Sequence, residues 1–274
     1  MAQNIGDFVS PPSGGFRGQG RLQKLFTEKQ TKVLNIYCTA GYPKLDSTLE
    51  VLSALAANGA DIIEIGMPYS DPLADGEVIQ ASSSVALQNG MTIAKLFEQL
   101  KDVRNSIHTP IILMGYLNPI MQYGLENFCS KAKEVGVDGV ILPDLPMYEY
   151  ETMYKELFES NGLDFIFLVT PETSEERIRK IDALGSGFIY AVSSSSTTGK
   201  NKAIEEQEAY FKKLQSMQLS NPVLVGFGIK DKQTFETASR YTNGAIIGSA
   251  YIKALEKSNN ITETTKDFLK AITA

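Results

Sequence analysis

Asp61-Ile62-Ile63-Glu64-Ile65-Gly66-Met67-Pro68-Tyr69-Ser70-Asp71-Pro72-Leu73-Ala74-Asp75-Gly76 holds the repeating unit of this chain in one stretch. An apolar run rich in β-branched residues, Asp61 to Ile65, stops at a turn carrying glycine and proline. A helix-period segment, Val78 to Gln88, follows it. Apart from Glu64 the run from Ile62 to Ile65 is continuously apolar, as expected for a parallel strand covered on both faces.

The same unit recurs on either side. Strands are predicted at Val33 to Cys38, Asp61 to Ile65, Ile111 to Gly115, Gly139 to Leu142, Phe165 to Val169, Phe188 to Val192, Val223 to Val225 and Ala245 to Ile247. Helices are predicted at Thr48 to Asn58, Val78 to Gln88 with Ile93 to Asn105, Leu125 to Val135, Tyr148 to Ser160, Glu175 to Leu184, Ile204 to Met217, Gln233 to Arg240 and Thr262 to Ile272. Ser47 with Glu50 and Thr173 with Glu176 have the spacing of a capping box, which supports two of the helix starts. Eight strand-turn-helix units without a break in composition predict an α/β fold: a single (β/α)8 TIM barrel with extra short helices, rather than a doubly wound open sheet. Residues 21–274 form the expected catalytic domain. Residues 1–20 carry six glycines and prolines between Pro11 and Gly20 and no apolar period, so they read as a flexible leader.

Composition narrows the function. The chain has 274 residues, 43% hydrophobic and 21% charged, which is ordinary for a globular protein. Lysine and arginine number 26 against 32 acidic residues, a net charge of -6, so no nucleic-acid partner is expected. No apolar run approaches a membrane span and no signal-peptide order is present, which predicts a cytoplasmic protein without a membrane partner. Two cysteines without CxxC spacing and one histidine predict no metal site.

Barrels of this kind do their chemistry at the carboxyl ends of the strands. Alternation turns Glu64 to the face opposite Ile63 and Ile65, into the barrel, where apolar surroundings should raise its pKa into the range useful for giving and taking a proton. Asp71 and Asp75 follow in the turn, where aspartate also serves simply to stabilise backbone. Gly226-Phe227-Gly228-Ile229 after the seventh strand and Gly248-Ser249-Ala250 after the eighth let backbone approach a ligand, a placement that argues for a phosphorylated substrate. The run Ser193 to Lys200 after the sixth strand suits a lid, with Thr198 and Gly199 in reach of a ligand, although a plain linker has the same composition. Tyr116-Leu117-Asn118-Pro119 and Pro143-Asp144-Leu145-Pro146 are polar strand ends that turn chemistry alone would explain. His108 stands at the entry to the third strand, the wrong end for catalysis.

The stretch Glu64 to Gly76, with Ile79-Gln80 after it, closely resembles the signature of the tryptophan synthase alpha subunit family. The resemblance extends from Arg21 over essentially the whole chain, through Thr39-Ala40-Gly41-Tyr42-Pro43, Asn58-Gly59-Ala60-Asp61, Gly136-Val137-Asp138-Gly139, Gly226-Phe227-Gly228-Ile229 and Gly248-Ser249-Ala250. It implies a lyase that cleaves indole-3-glycerol phosphate to indole and glyceraldehyde 3-phosphate by a cofactor-free retro-aldol reaction. Glu64 and Asp75 match the catalytic carboxylates, and Tyr190 matches an active-site tyrosine. By the same match, phosphate contacts fall on Gly199, Gly228, Gly248 and Ser249, while Thr198 is the lid residue that closes onto Asp75. Tyr37, Tyr116, Asp144 and Phe227 match positions around the indole ring and cleft. The implied partner is a tryptophan synthase beta subunit in an alpha2-beta2 complex, and pyridoxal phosphate is expected there and not in this chain. Other phosphate-binding barrels, such as sugar-phosphate isomerases and epimerases, would share the glycine turns but not the Glu64 to Gly76 loop. A catalytically silent binding subunit would need neither carboxylate.

Overall fold

The computed structural model describes residues 20–193, 200–226 and 228–274, excluding the side chains of 200–206. The expected leader, except Gly20, lies outside them.

Parallel strands run at β1 (Val33–Thr39), β2 (Ile62–Gly66), β3 (Ile111–Met114), β4 (Gly139–Ile141), β5 (Asp164–Phe165), β6 (Leu168–Val169), β7 (Ile189–Val192), β8 (Val223–Gly226) and β9 (Gly244–Ile247). They form one sheet in the order β5-β4-β3-β2-β1-β9-β8-β7-β6. The two outermost members, β5 and β6, are consecutive pieces of one stretch of chain, so the sheet closes on itself into the expected barrel. Here the structure corrects the sequence: the run from Phe165 to Val169 is not one strand but two. Asp164 and Phe165 pair with Gly139 and Val140 of β4, and Leu168 and Val169 with Tyr190 and Ala191 of β7. Single bonds from Ile166 N to Val140 O, 3.0 Å, and from Tyr190 N to Phe167 O, 2.9 Å, carry the wall across the change of neighbour. Aromatic packing backs this seam. The Tyr150 and Phe165 rings stack at 4.1 Å, and Phe165 meets Phe167 edge-on at 4.8 Å.

The helices surround the sheet much as the apolar periodicity demands, with several differences; the one expected at Ile93 to Asn105 stops at Leu100, and a separate 3-10 turn, Val103–Asn105, follows it. The helix Leu117–Tyr123 begins where Asn118-Pro119 suggested only a turn; proline within a first helical turn removes an N–H that has no partner there anyway. A further helix, Arg21–Glu28, precedes β1 and buries Leu22 completely. The helix expected at Tyr148 to Ser160 passes through a π segment, Tyr150–Tyr154, which turns Tyr150 into the aromatic cluster. Neither expected capping box forms. Ser47 is the first residue of its helix, behind Asp46, and Ser174 rather than Thr173 accepts from Arg177 N. A capping box does form between Asp231 and Thr234.

The amino-terminal end of the barrel is tied by charge. Asp138 accepts from Arg21 at 2.9 Å, from Arg104 at 2.6 Å and from Ile111 N at 2.8 Å. His108 is exposed at this same end, just before β3. The opposite end is left to the polar loops.

Candidate active site

Glu64 is 1% exposed on β2, beside Tyr37 of β1 in the strand register. One carboxylate oxygen, Oε2, accepts from Asn35 Nδ2 at 2.8 Å. The other, Oε1, is buried and has no hydrogen-bond partner among the described residues. Burial pushes the Glu64 carboxyl up to about 8, against the opposing pull of the Asn35 hydrogen bond and with a contribution from the charge of Asp75. Among the described residues no lysine or arginine pairs with it. Glu64 is set up as a carboxylic acid that holds its proton at neutral pH.

Asp75 is half-buried in the turn after β2, and the loop carrying it is pinned. Asp75 N bonds to Pro72 O at 3.0 Å, and Gln80 Nε2 donates to Asp75 O at 2.8 Å from the following helix, Glu77–Gln88. Tyr116 holds the loop from the neighbouring strand end. Its hydroxyl oxygen accepts from Ala74 N at 2.9 Å, and its O–H donates to the Asp75 carboxyl. Burial raises Asp75 to about 6 while the Tyr116 bond opposes the rise. Tyr69 lies over Tyr116 with ring centroids 5.3 Å apart. The polar strand end at Tyr116 is therefore more than a turn: it positions the second carboxylate.

Two tyrosines complete the floor. A Cβ on Gly66 would sit 1.9 Å from the Tyr37 hydroxyl, and one on Gly226 would sit 2.2 Å from that of Tyr190. Glycine at these two strand ends is what lets the rings lie across the barrel. Burial, together with the charges of Glu64 and Asp75, pushes both tyrosine hydroxyls well up. They stay protonated.

The backbone sites stand on the same rim. Gly248 opens the helix Ser249–Glu256, with its carbonyl accepting from Tyr251 N and Ile252 N. A Cβ on Gly248 would lie 3.4 Å from Tyr37 Cβ, which places this turn beside the acid pair. Ser249 is exposed at the helix start, where unpaired N–H groups favour an anion. Gly228 has φ +75°, and its Cβ position is 3.8 Å from Ser193 Oγ. Ser193 in turn donates to Gly226 O at 3.1 Å, drawing the ends of β7 and β8 together. Asp144 is exposed, and both its oxygens lie 3.0 Å from Leu117 N, so its visible role is to cap that helix. Thr198, Gly199 and Phe227 lie outside the described residues. Among the described residues no group of three or more His, Cys, Asp or Glu side chains could hold a metal ion.

Asn35 went unremarked in the sequence. The signal was available, because it is the one polar residue among Val33, Leu34, Ile36 and Tyr37 and stands two positions before Tyr37 on the inward face.

A buried carboxyl raised to about 8 and a second raised to about 6, at the mouth of a parallel barrel beside glycine-bearing turns, are the arrangement of an enzyme of the (β/α)8 class. The family model "Tryptophan synthase alpha chain" matches residues 23–273. The chain is 53% identical over 253 residues to the tryptophan synthase alpha chain of Christiangramia forsetii, covering 92% of this chain and 97% of that one. To that of Parabacteroides distasonis it is 51% identical over 253 residues, covering 92% and 98%. It superimposes on tryptophan synthase subunit alpha from Legionella pneumophila with a TM-score of 0.83 at 33% identity, covering 92% and 97%. The chain belongs to the tryptophan synthase alpha chain family. It is a lyase of tryptophan biosynthesis that cleaves indole-3-glycerol phosphate to indole and glyceraldehyde 3-phosphate.

Proposed function

We propose that Glu64 and Asp75 carry out this cleavage between them. The observation that carries the reading is the buried Glu64 carboxyl, its Oε1 unpartnered among the described residues and its pKa raised to about 8, with Asp75 raised only to about 6. Between those values Glu64 is protonated and Asp75 is ionised. Glu64 gives its proton to indole C3, which becomes tetrahedral. The bond from C3 to the glycerol carbon then breaks, its electrons return to the ring, and the hydroxyl on that carbon becomes the aldehyde as its proton passes to Glu64. Positive charge develops at the ring nitrogen meanwhile, and the Asp75 carboxylate stabilises it where it forms. Tyr37 and Tyr190, both neutral, bound the ring; Tyr116 fixes Asp75.

Gly228, Gly248 and Ser249 hold the phosphate by backbone N–H groups, with Gly199 assigned to the same role by resemblance. Thr198 is assigned as the lid, and Phe227 and Asp144 to the cleft, on the same ground. Gly228→Asp places a carboxylate where the phosphate should sit, so glycerol 3-phosphate should bind at least about ten-fold more weakly by calorimetry. Unchanged affinity would move the phosphate elsewhere.

The partner in this reading is a tryptophan synthase beta subunit in an alpha2-beta2 complex, which holds the pyridoxal phosphate and receives the indole. Leu73, two residues from Asp75, is 92% exposed, and Tyr148 on the neighbouring rim is 70% exposed, the kind of apolar surface a partner covers. A partner seated there can favour the productive placement of Asp75 only through its higher affinity for that state. Titrating beta subunit into an indole-release assay should raise turnover strongly as complex forms in sedimentation. A complex without a rate increase would sink the activation, and no complex at all would sink the partner. No helix of the described residues is long and apolar enough to cross a membrane. A cytoplasmic setting also suits the unpaired, buried Cys38 and Cys129.

A further inference from the structure

Asn35 occupies a position on β1 where a parallel barrel strand has no need of a polar side chain. It is 0% exposed, its neighbours in the strand are apolar or aromatic, and burying an amide is unfavourable unless its hydrogen bonds are made. It makes one that is visible, from Nδ2 to Glu64 Oε2 at 2.8 Å, and its own Oδ1 has no partner among the described residues. An amide half satisfied in a barrel interior calls for an explanation in function.

We infer that Asn35 is a positioning residue for Glu64: its amide holds Oε2 and thereby confines the transferable proton to Oε1. The inference rests on the acid-base role proposed for Glu64. With an N–H already aimed at Oε2, a proton on that oxygen would face another hydrogen. The proton therefore resides on Oε1, the oxygen left for the reacting atoms. The same bond survives both states of the acid, because Oε2 accepts as the carbonyl oxygen of the neutral form and as a carboxylate oxygen of the ionised form. In the ionised form the bond is charge-assisted and stronger, so it also restrains how far burial raises the acid. The other titratable groups acting at this point are Asp75 from the β2 turn, Tyr37 and Cys38 from β1, and Tyr190 from β7. Among the described residues the one hydrogen bond to the Glu64 carboxyl comes from the Asn35 N–H.

Two variants separate this role from mere packing. Asn35→Leu removes the donor; the alkaline limb of the kcat/KM profile for indole-3-glycerol phosphate should move up by about one pH unit, and kcat should fall about ten-fold with KM within a few-fold. Asn35→Asp keeps the shape but offers an acceptor, which draws the Glu64 proton onto Oε2, so its kcat should fall well below that of Asn35→Leu. A packing role predicts the reverse order, with the isosteric aspartate the milder change, and that order or an unmoved limb would overturn the inference. A third measurement needs no Asn35 variant. Infrared difference spectra of the parent against Glu64→Gln through the Glu64 titration should show a carboxylic C=O stretch lowered by an accepted hydrogen bond, and a stretch typical of a free carbonyl would also overturn it. A Glu64→Gln enzyme with parental turnover would instead remove the acid-base reading itself, which keeps the two failures apart.

Discussion

Glu64→Gln should abolish indole release, lowering kcat by roughly 10²- to 10⁴-fold, while glycerol 3-phosphate binds as in the parent. The amide keeps the volume and can still accept from Asn35 Nδ2, but it has no proton to transfer. Turnover within a few-fold of the parent would refute the role. A second consequence separates loss of chemistry from loss of structure. The folded-state pKa of Glu64, about 8, lies above its unfolded value of 4.5, so the folded state binds the proton more tightly. Stability from this group is fully present below the unfolded pKa. It declines as pH rises through the interval and is exhausted above the folded value, where a buried charge has to be held. Glu64→Gln removes that liability. The variant should gain a few kcal/mol on the parent at pH 9 and little at pH 4.5, read as a higher melting temperature only at the alkaline end. An inactive enzyme that is more resistant to heat at high pH is the expected signature. A variant melting lower throughout would mean that Glu64 is held in place for packing.

Asp75→Asn should cost roughly 10²- to 10³-fold in kcat, because an amide cannot neutralise the charge that grows at the ring nitrogen. Tyr116 can still donate to its carbonyl oxygen, so the loop should keep its place and glycerol 3-phosphate should bind normally. If binding weakens while kcat holds, Asp75 serves the phosphate and its role has been misassigned. The pH profile gives an independent reading. In the parent, cleavage needs Glu64 protonated and Asp75 ionised, so kcat/KM should rise through about pH 6 and fall through about pH 8. In Asp75→Asn the acid limb should vanish. The alkaline limb should shift downward, since the Asp75 charge that helps raise Glu64 is gone. An acid limb that stays in place belongs to another group.

The barrel and its acid were legible in the sequence for the same reason. Glu64 is a single carboxylate in an apolar strand, and period two leaves it one face to point to. Asp75 was harder, because an aspartate between proline and glycine has a sufficient explanation as a turn residue. Only the Tyr116 hydroxyl, reaching it from just beyond β3, separates it from Asp71, whose carboxylate meets merely the adjacent Ser70. The change of neighbour inside Phe165 to Val169 left no trace, since five apolar residues satisfy one long strand or two short ones equally well. The helix at Leu117 was hidden by Pro119, and the shifted cap at Ser174 by a threonine with the same spacing one place earlier. Except at Ser174, whose contact with Arg177 N is local, the deciding contact comes from a distant segment, and periodicity does not register such contacts.

The strand order carries a consequence in time. β1 lies between β2 and β9, and β9 is synthesised about 210 residues after β1. At roughly 5–20 residues per second, one edge of β1 waits about 10–40 s on the ribosome for the neighbour that covers it. During that interval Val33 to Thr39 is an apolar template open to any passing strand. The amide of Asn35 and the hydroxyl of Thr39 interrupt that apolar run, so the residue that holds Glu64 in the finished enzyme and the one that meets Ser82 on the neighbouring helix also make the growing chain a poorer seed for aggregation.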